Sequence, residues 1–359
     1  MKSLKNLFVP VAFVVAAVVL VAGCQSVNTT AGKLRNQEGN YEIAIELLTK
    51  AIAENPNDAE AYFQLGISYS ELDSVSLAYQ NFTKSLELDP KRERDVKNNI
   101  QHNFAKHYKL GQSAYNRSEY MASAEEFALA TKADPTQAVG FYNLGVAYSN
   151  LAREDSTYYD KTIEAMDHVL ELSNPSDANY VKALQAAGRA LVKVGRPEEA
   201  EERFRRLVEE DPTSYGAIED IGNELLNQRE WKGAVVFLKM AAEARAKIDD
   251  EDFTVYYNIG AALYNLRKEQ PGAVEEAISY YQKALAIQDD EPQTIFNIAV
   301  AYVALDNYKQ AVDWLEKFVD VSPQDGKGWQ LLARCYSELD EKDKARDALK
   351  RYTDIQNSQ

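Results

Sequence analysis

The sequence predicts an all-α fold: about nine helical hairpins in a row, preceded by a short leader. Three observations predict it. Pro56 and Pro90 lie 34 residues apart, each closing a polar or acidic stretch (AENP, ELDP). Between them, Tyr62, Leu65, Gly66 and Tyr69 share one helical face, and Ala78, Phe82 and Ser85 share a second. The same frame then recurs almost to the end of the chain. Glycine and proline are sparse, 16 and 10 in 359 residues, which excludes collagen-like or Pro/Gly-rich chains. The hydrophobic fraction of 45% and charged fraction of 27% are those of a folded soluble protein.

The leader comes first. Lys2 and Lys5 give a positive start, Leu7 to Ala22 is uncharged and apolar, and small residues precede Cys24. That is the layout of a secretory signal over residues 1–23. The apolar stretch is short for a membrane span and Pro10 interrupts it, although an uncleaved membrane anchor is the alternative. Val21-Ala22-Gly23-Cys24 resembles the lipobox of bacterial lipoproteins. The resemblance implies thioether lipidation of Cys24, cleavage before it and acylation of the new amino terminus, palmitate being one of the chains. Residues 24–27 then form a short linker. Gln25 after the cysteine implies the outer membrane under enterobacterial-type sorting, with the folded part facing the periplasm. Cleavage leaves 38 bases against 56 acids, a net charge of −18. Such a polyanion repels phosphate backbones, so nucleic acid is not an expected partner.

The hairpins fill residues 28–357, with repeats at roughly 25–58, 59–92, 104–137, 138–177, 181–214, 215–248, 253–291, 292–325 and 326–359. The first carries Gly32, Ala44, Leu48, Ala51 and Pro56; the third Leu110, Gly111, Phe127, Ala130 and Pro135. The fourth carries Leu144, Gly145, Tyr148, Met166 and Pro175; the fifth Gly188, Ala200, Phe204 and Pro212. The sixth (Gly222, Ala234, Leu238) lacks the closing proline, and the seventh carries Gly260, Ala277 and Tyr281. The eighth carries Ala299, Ala311, Leu315 and Pro323; the ninth Ala333, Tyr336, Ala345, Leu349 and Tyr352. An aromatic, Leu-Gly, Tyr, then Ala, a large residue, a small one and Pro closely resembles the tetratricopeptide repeat. The resemblance implies a right-handed α-solenoid of about nine stacked helix-turn-helix hairpins that binds other proteins or peptides.

Each position has a physical reason. Small residues at the eighth and twentieth places let paired helices approach, and a large one at the twenty-fourth is expected to fill the gap between hairpins. Proline ends the second helix because it lacks an amide donor and clashes with the preceding turn. One hairpin buries too little alone, so neighbours must stack. Gly145→Leu is therefore expected to lower thermal stability by about 1–3 kcal/mol or more through overpacking. Three stretches break the period: 91–103 between repeats two and three, 153–161 inside repeat four and 267–276 inside repeat seven. The first holds Lys91, Arg92, Arg94 and Lys97 against two acids. It reads as a solvated helical extension or as a contact to anionic lipid or an acidic partner.

In the family, the second, fifth, ninth and twelfth places of the first helix line a groove. Carried onto this chain, its aromatic members are Phe63, Tyr108, Tyr115, Tyr142, Tyr257, Tyr264 and Phe296, and its bases Lys33, Lys182, Arg189, Lys327 and Arg334. Glu60 and Glu219 are its acids, so the groove carries +3 in a strongly negative body. That contrast points to a neutral or anionic extended ligand, although each aromatic is also a candidate for plain packing between helices. Asn143, Asn258 and Asn297 hold the sixth place, where chaperone-binding members use an Asn with basic residues to clamp a carboxylate. Asn143 with Lys182 and Asn297 with Lys327 match only part of that clamp, which does not support chaperone-tail binding.

Catalytic and cofactor signatures are missing from the sequence. His102 and His107 are five residues apart, off a shared helical face, and no HExxH, cysteine pair, Gly-rich phosphate loop or nucleophile elbow occurs. Cys335 reads as a buried free thiol. The leading expectation is a lipid-anchored adaptor in the bacterial cell envelope, needing no metal or cofactor. The family resemblance suggests work in pilus or secretion assembly, outer-membrane protein assembly or scaffolding of wall enzymes. A purely architectural or self-associating spacer is the second reading, and an enzyme built from scattered acids the third.

Overall fold

A computed structural model describes residues 26–358, so Cys24 and the leader lie outside the described residues. Among the described residues the chain is all-α, with no strand. It divides into two units, Met1–Leu172 and Ser173–Gln359. In the first unit, four hairpins pair α1 (Val27–Gln37) with α2 (Tyr41–Glu54), α3 (Ala59–Glu71) with α4 (Val75–Leu88), α5 (Glu93–Asn116) with α6 (Tyr120–Ala133), and α7 (Ala138–Leu151) with α8 (Tyr158–Leu172). In the second, five hairpins pair α9 (Ala178–Lys193) with α10 (Pro197–Glu210), α11 (Tyr215–Asn227) with α12 (Trp231–Ala246), α13 (Phe253–Asn265) with α14 (Ala273–Ile287), α15 (Pro292–Ala304) with α16 (Tyr308–Val321), and α17 (Gly326–Glu338) with α18 (Lys342–Ser358).

Local chemistry sets the ends. The residue before Pro56, Pro90 and Pro212 (Asn55, Asp89 and Asp211) is extended, as the proline ring demands, so the helix stops there. Asp58 and Asp252 cap the next helices by accepting from the amides of Ala61 and Val255 at 3.0 and 3.1 Å. Within seven hairpins the first helix closes on a left-handed residue: Gly39, Asp73, Ser118, Gly195, Arg229, Asp306 or Asp340. The following amide reaches back to the last turn of the helix at 2.8–3.0 Å, as Ser74 does to the carbonyl of Tyr69. The hairpins made by α7–α8 and α13–α14, whose turns are longer, lack this joint.

In the seven hairpins with glycine at the eighth place, from Gly32 to Gly260, that glycine sits under the large residue of the second helix. A Cβ on Gly66 would stand 2.6 Å from the Phe82 ring, and one on Gly188 2.6 Å from the ring of Phe204. Phe82 and Phe204 are fully buried, so these rings have nowhere to go. At Gly145 the neighbour is the mobile methyl end of Met166, also at 2.6 Å. In the second unit one apolar cluster runs unbroken from Ala234 to Ala348, through Ile259, Leu263, Ala277, Ile298 and Leu315.

Two expected core positions are corrected. Leu110 is 46% exposed because the extended α5 buries the stripe Val96, Asn103, His107, Gly111 and Ala114 instead. Leu349 is 53% exposed because α18 turns Ala348 and Ile355 inward. The insertion at 91–103 forms a short 3-10 turn, Pro90–Arg92, and the first turns of α5. It is not simply solvated, since Val96 is fully buried and Arg92 is bonded to Glu60 at 2.7 Å.

Candidate binding face along the first helices

Side-by-side first helices are joined by polar rungs, and the residues expected to line a groove supply many of them. In the first unit, α1 meets α3 through Asn36, whose amide donates to the Gln64 carbonyl at 2.8 Å. Ser68 completes the set by donating to the side-chain oxygen of Asn36 at 2.6 Å. Close by, the nearly buried Glu60 holds Lys33 at 3.0 Å and Arg92 at 2.7 Å, which ties α1, α3 and the entry to α5 together. Burial works against the Glu60 carboxylate. The bonds from Lys33, Arg92 and Gln64 outweigh it and hold the group below its ordinary value. Arg92 also lies over the ring of Phe63, 5.5 Å from its centre.

Between α5 and α7 the rungs are neutral. Asn143 donates to the Tyr108 hydroxyl at 3.1 Å and Asn150 to the Tyr115 hydroxyl at 3.2 Å. Each amide also donates to a carbonyl one turn back, Val139 or Val146. Tyr108 is stacked on Phe104 and tilted against Phe127. Tyr142 is half-buried, and burial together with nearby Tyr115 raises its hydroxyl above the ordinary value. Tyr108, Tyr115, Tyr142 and Asn143 thus stand together, and the Tyr108 and Tyr115 phenols accept bonds from the neighbouring first helix.

The second unit begins its row with charge. Arg189 on α9 bonds Asp220 on α11 at 3.0 Å, and one turn on, Lys193 pairs with Glu224. Asn258 on α13 donates to Asn223 on α11 at 3.0 Å, and Asn297 on α15 donates to the Tyr257 hydroxyl at 3.2 Å. Glu219 is bonded by Arg245 at 3.0 Å. Tyr257 packs on Phe253 and Tyr281, Phe296 on Phe318, and Arg267 covers Tyr264 at 4.6 Å. Lys182 is exposed at the start of α9.

The last first helix differs. Lys327 and Arg334 are exposed two turns apart on α17, with exposed Gln330 between them. Among the described residues neither base makes a salt bridge, and no polar rung joins α17 to α15. The expected +3 is therefore redistributed: Lys33 is held by Glu60 and Arg189 by Asp220, while Lys327 and Arg334 keep their charge open. Asn143, Asn258 and Asn297 serve as ties between helices, which accounts for them without a carboxylate clamp.

The sequence reading does not single out the rung partners Asn150, Asn223 and Asp220. Asp220 and Asn223 do carry a signal, since an Asn or Asp at the sixth place of one first helix faces a Tyr, Arg or Asn on the helix before it; Asn150, at the thirteenth place, carries none of this kind. The histidines are not a site. His102 is exposed, and His107 is buried with its Nδ1 2.8 Å from Glu126. Cys335 is buried, and burial pushes its thiol up to about 11. Among the described residues no group of three or more His, Cys, Asp or Glu is placed to hold a metal, and no helix is long and apolar enough to cross a membrane.

This arrangement of paired helices agrees with comparisons to known proteins. Models of the TPR repeat match residues 32–73, and those of the tetratricopeptide repeat match 59–92 and 186–247. A model of anaphase-promoting complex, cyclosome, subunit 3 matches 271–352. The Drosophila melanogaster homolog of BBSome complex member BBS4 is 24% identical over 91% of this chain and 64% of its own length. A TPR repeat-containing protein of Methanocaldococcus jannaschii is 23% identical over 90% of this chain and 56% of its own. The chain thus spans less than two thirds of either relative. The C-terminal part of a TPR repeat-containing protein from Cytophaga hutchinsonii is similar in structure, with a TM-score of 0.41 and 19% identity, over 70% of this chain and 96% of that one.

Proposed function

We propose that this tetratricopeptide-repeat protein is a non-catalytic adaptor of the bacterial envelope, lipid-anchored through Cys24 and binding an extended neutral or acidic segment of a partner protein. The observation that carries the binding half is the open pair on α17. Lys327 and Arg334 are exposed two turns apart on one helix face, and among the described residues neither makes a salt bridge. A carboxylate arriving there gains charge-assisted hydrogen bonds without first breaking an internal salt bridge. At Arg189, by contrast, a ligand must compete with Asp220. The lipobox supports the anchor half, and a tether of only a few residues raises the effective concentration of partners at the same membrane. The outer membrane is favoured by Gln25.

Affinity capture from membranes tests this reading. Partner recovery is expected to fall sharply for Lys327→Glu with Arg334→Glu and only modestly for Arg189→Glu. Equal recovery by all three proteins would remove the binding proposal. Intact-mass analysis of the mature protein tests the anchor, which fails if Cys24 carries no lipid. A self-associating spacer predicts a concentration-dependent oligomer instead, which sedimentation would reveal.

A further inference from the structure

We infer that the outward face of α1 is a bilayer contact: the first hairpin lies against the lipid surface through an apolar stripe and does not hang free on its tether. The inference rests on the proposed acylation of Cys24.

The stripe is Val27, Ala31 and Leu34, at i, i+4 and i+7. Val27 is 85% exposed and Leu34 52%. The buried residues of α1 (Thr29, Gly32 and Asn36) lie on the opposite side of the helix, toward α2 and α3. The outward apolar face is therefore left over after the hairpin has met all its own packing needs.

Its position fixes the occupant. Only Gln25 and Ser26 lie between Cys24 and Val27, so three peptide steps give a reach of about 10 Å even when fully extended. An acylated Cys24 has its chains in the bilayer, so the start of α1 cannot leave the headgroup layer. From there, apolar side chains on an interfacial helix sink toward the acyl boundary. Charge agrees: α1 contains Lys33 and Arg35 and no acid, in a chain that is otherwise strongly negative. Both bases are already paired, Lys33 with Glu60 and Arg35 with Glu38. The contact is accordingly apolar in origin and should resist salt.

The test uses the full-length lipidated protein in phosphatidylethanolamine and phosphatidylglycerol vesicles. Leu34→Cys carries a fluorophore, and Lys50→Cys on α2, another exposed place, serves as the reference; buried Cys335 takes no label. Spin-labelled lipid is expected to quench the probe at 34 severalfold more than at 50, with little change in high salt. Equal quenching at both sites, in a protein that mass analysis shows to be acylated and that stays on the vesicles, would overturn the contact and leave the anchor standing. A protein without acyl groups that washes off would end both. Protection at 34 that depends on protein density rather than on lipid would assign the stripe to a second copy and likewise overturn the inference.

Discussion

The rungs of the two units can be compared directly. In the first, α5 and α7 are joined by Asn143 to Tyr108 and Asn150 to Tyr115, neutral bonds between half-buried groups. In the second, α9 and α11 are joined by Arg189 to Asp220 and Lys193 to Glu224, charged bonds on exposed side chains. Both do the same geometric job, holding one first helix beside the next. They differ in what can undo them. A neutral bond in a half-buried setting ignores salt, and its loss strands polar groups away from water. An exposed ion pair contributes little, is screened by salt and can be traded for an ionic ligand. The same place in the repeat can thus be either fixed structure or exchangeable surface.

The comparison breaks most visibly at Glu60, the buried ionic exception in the first unit. Glu60→Ala leaves Lys33 without its anion and Arg92 with only the longer contact to Asp89 at 3.5 Å, and is expected to cost about 2–3 kcal/mol, reduced from the fully buried case because Lys33 is half exposed. Hydrogen exchange in α1, α3 and α5 should report the loss, and unchanged protection would show that the rung is idle. The same carboxyl sets an acid dependence. Its folded value lies below the ordinary 4.5, so its contribution is complete above that value and fades as the pH falls through the folded one. Protection of these helices should decline below about pH 4.5 in the native protein and much less in Glu60→Gln.

Smaller effects sharpen the contrast. Asn143→Ala should cost about 1 kcal/mol, equally in low and high salt, read as exchange in α5 and α7. Arg189→Ala should cost about 0.5 kcal/mol or less in low salt and nothing measurable in high salt, read in α9 and α11. If the two variants answered salt alike, the distinction between the rungs would not hold.

What could be read from the sequence follows from distance along the chain. Gly66 and Phe82 are sixteen residues apart in one hairpin, and their complementary sizes recur, so the pairing of the helices was visible. The rungs lie farther apart and vary in spacing: Asn143 and Tyr108 are 35 residues apart, Asn297 and Tyr257 are 40 apart because the turn near Gly272 is longer. In sequence these two amides therefore read as ligand groups, although their first claim is on a neighbouring phenol. Arg189 counted as free charge because its counter-ion lies in the next repeat. Leu110 and Leu349 were misplaced for another reason: a helix that lengthens or turns changes which residues face inward without altering its sequence period.

The left-handed joint closing seven of the hairpins has a consequence for how such a chain can change. Its geometry belongs to the backbone, held by amides and carbonyls, and the residue at the bend is Gly, Asp, Ser or Arg without altering the closure. A non-glycine residue bends there at a cost of about 1 kcal/mol, confined to that one turn. Each hairpin is therefore a cassette with an interchangeable hinge, so that duplication or loss of one leaves the closure of the others intact and length can be altered apart from binding chemistry.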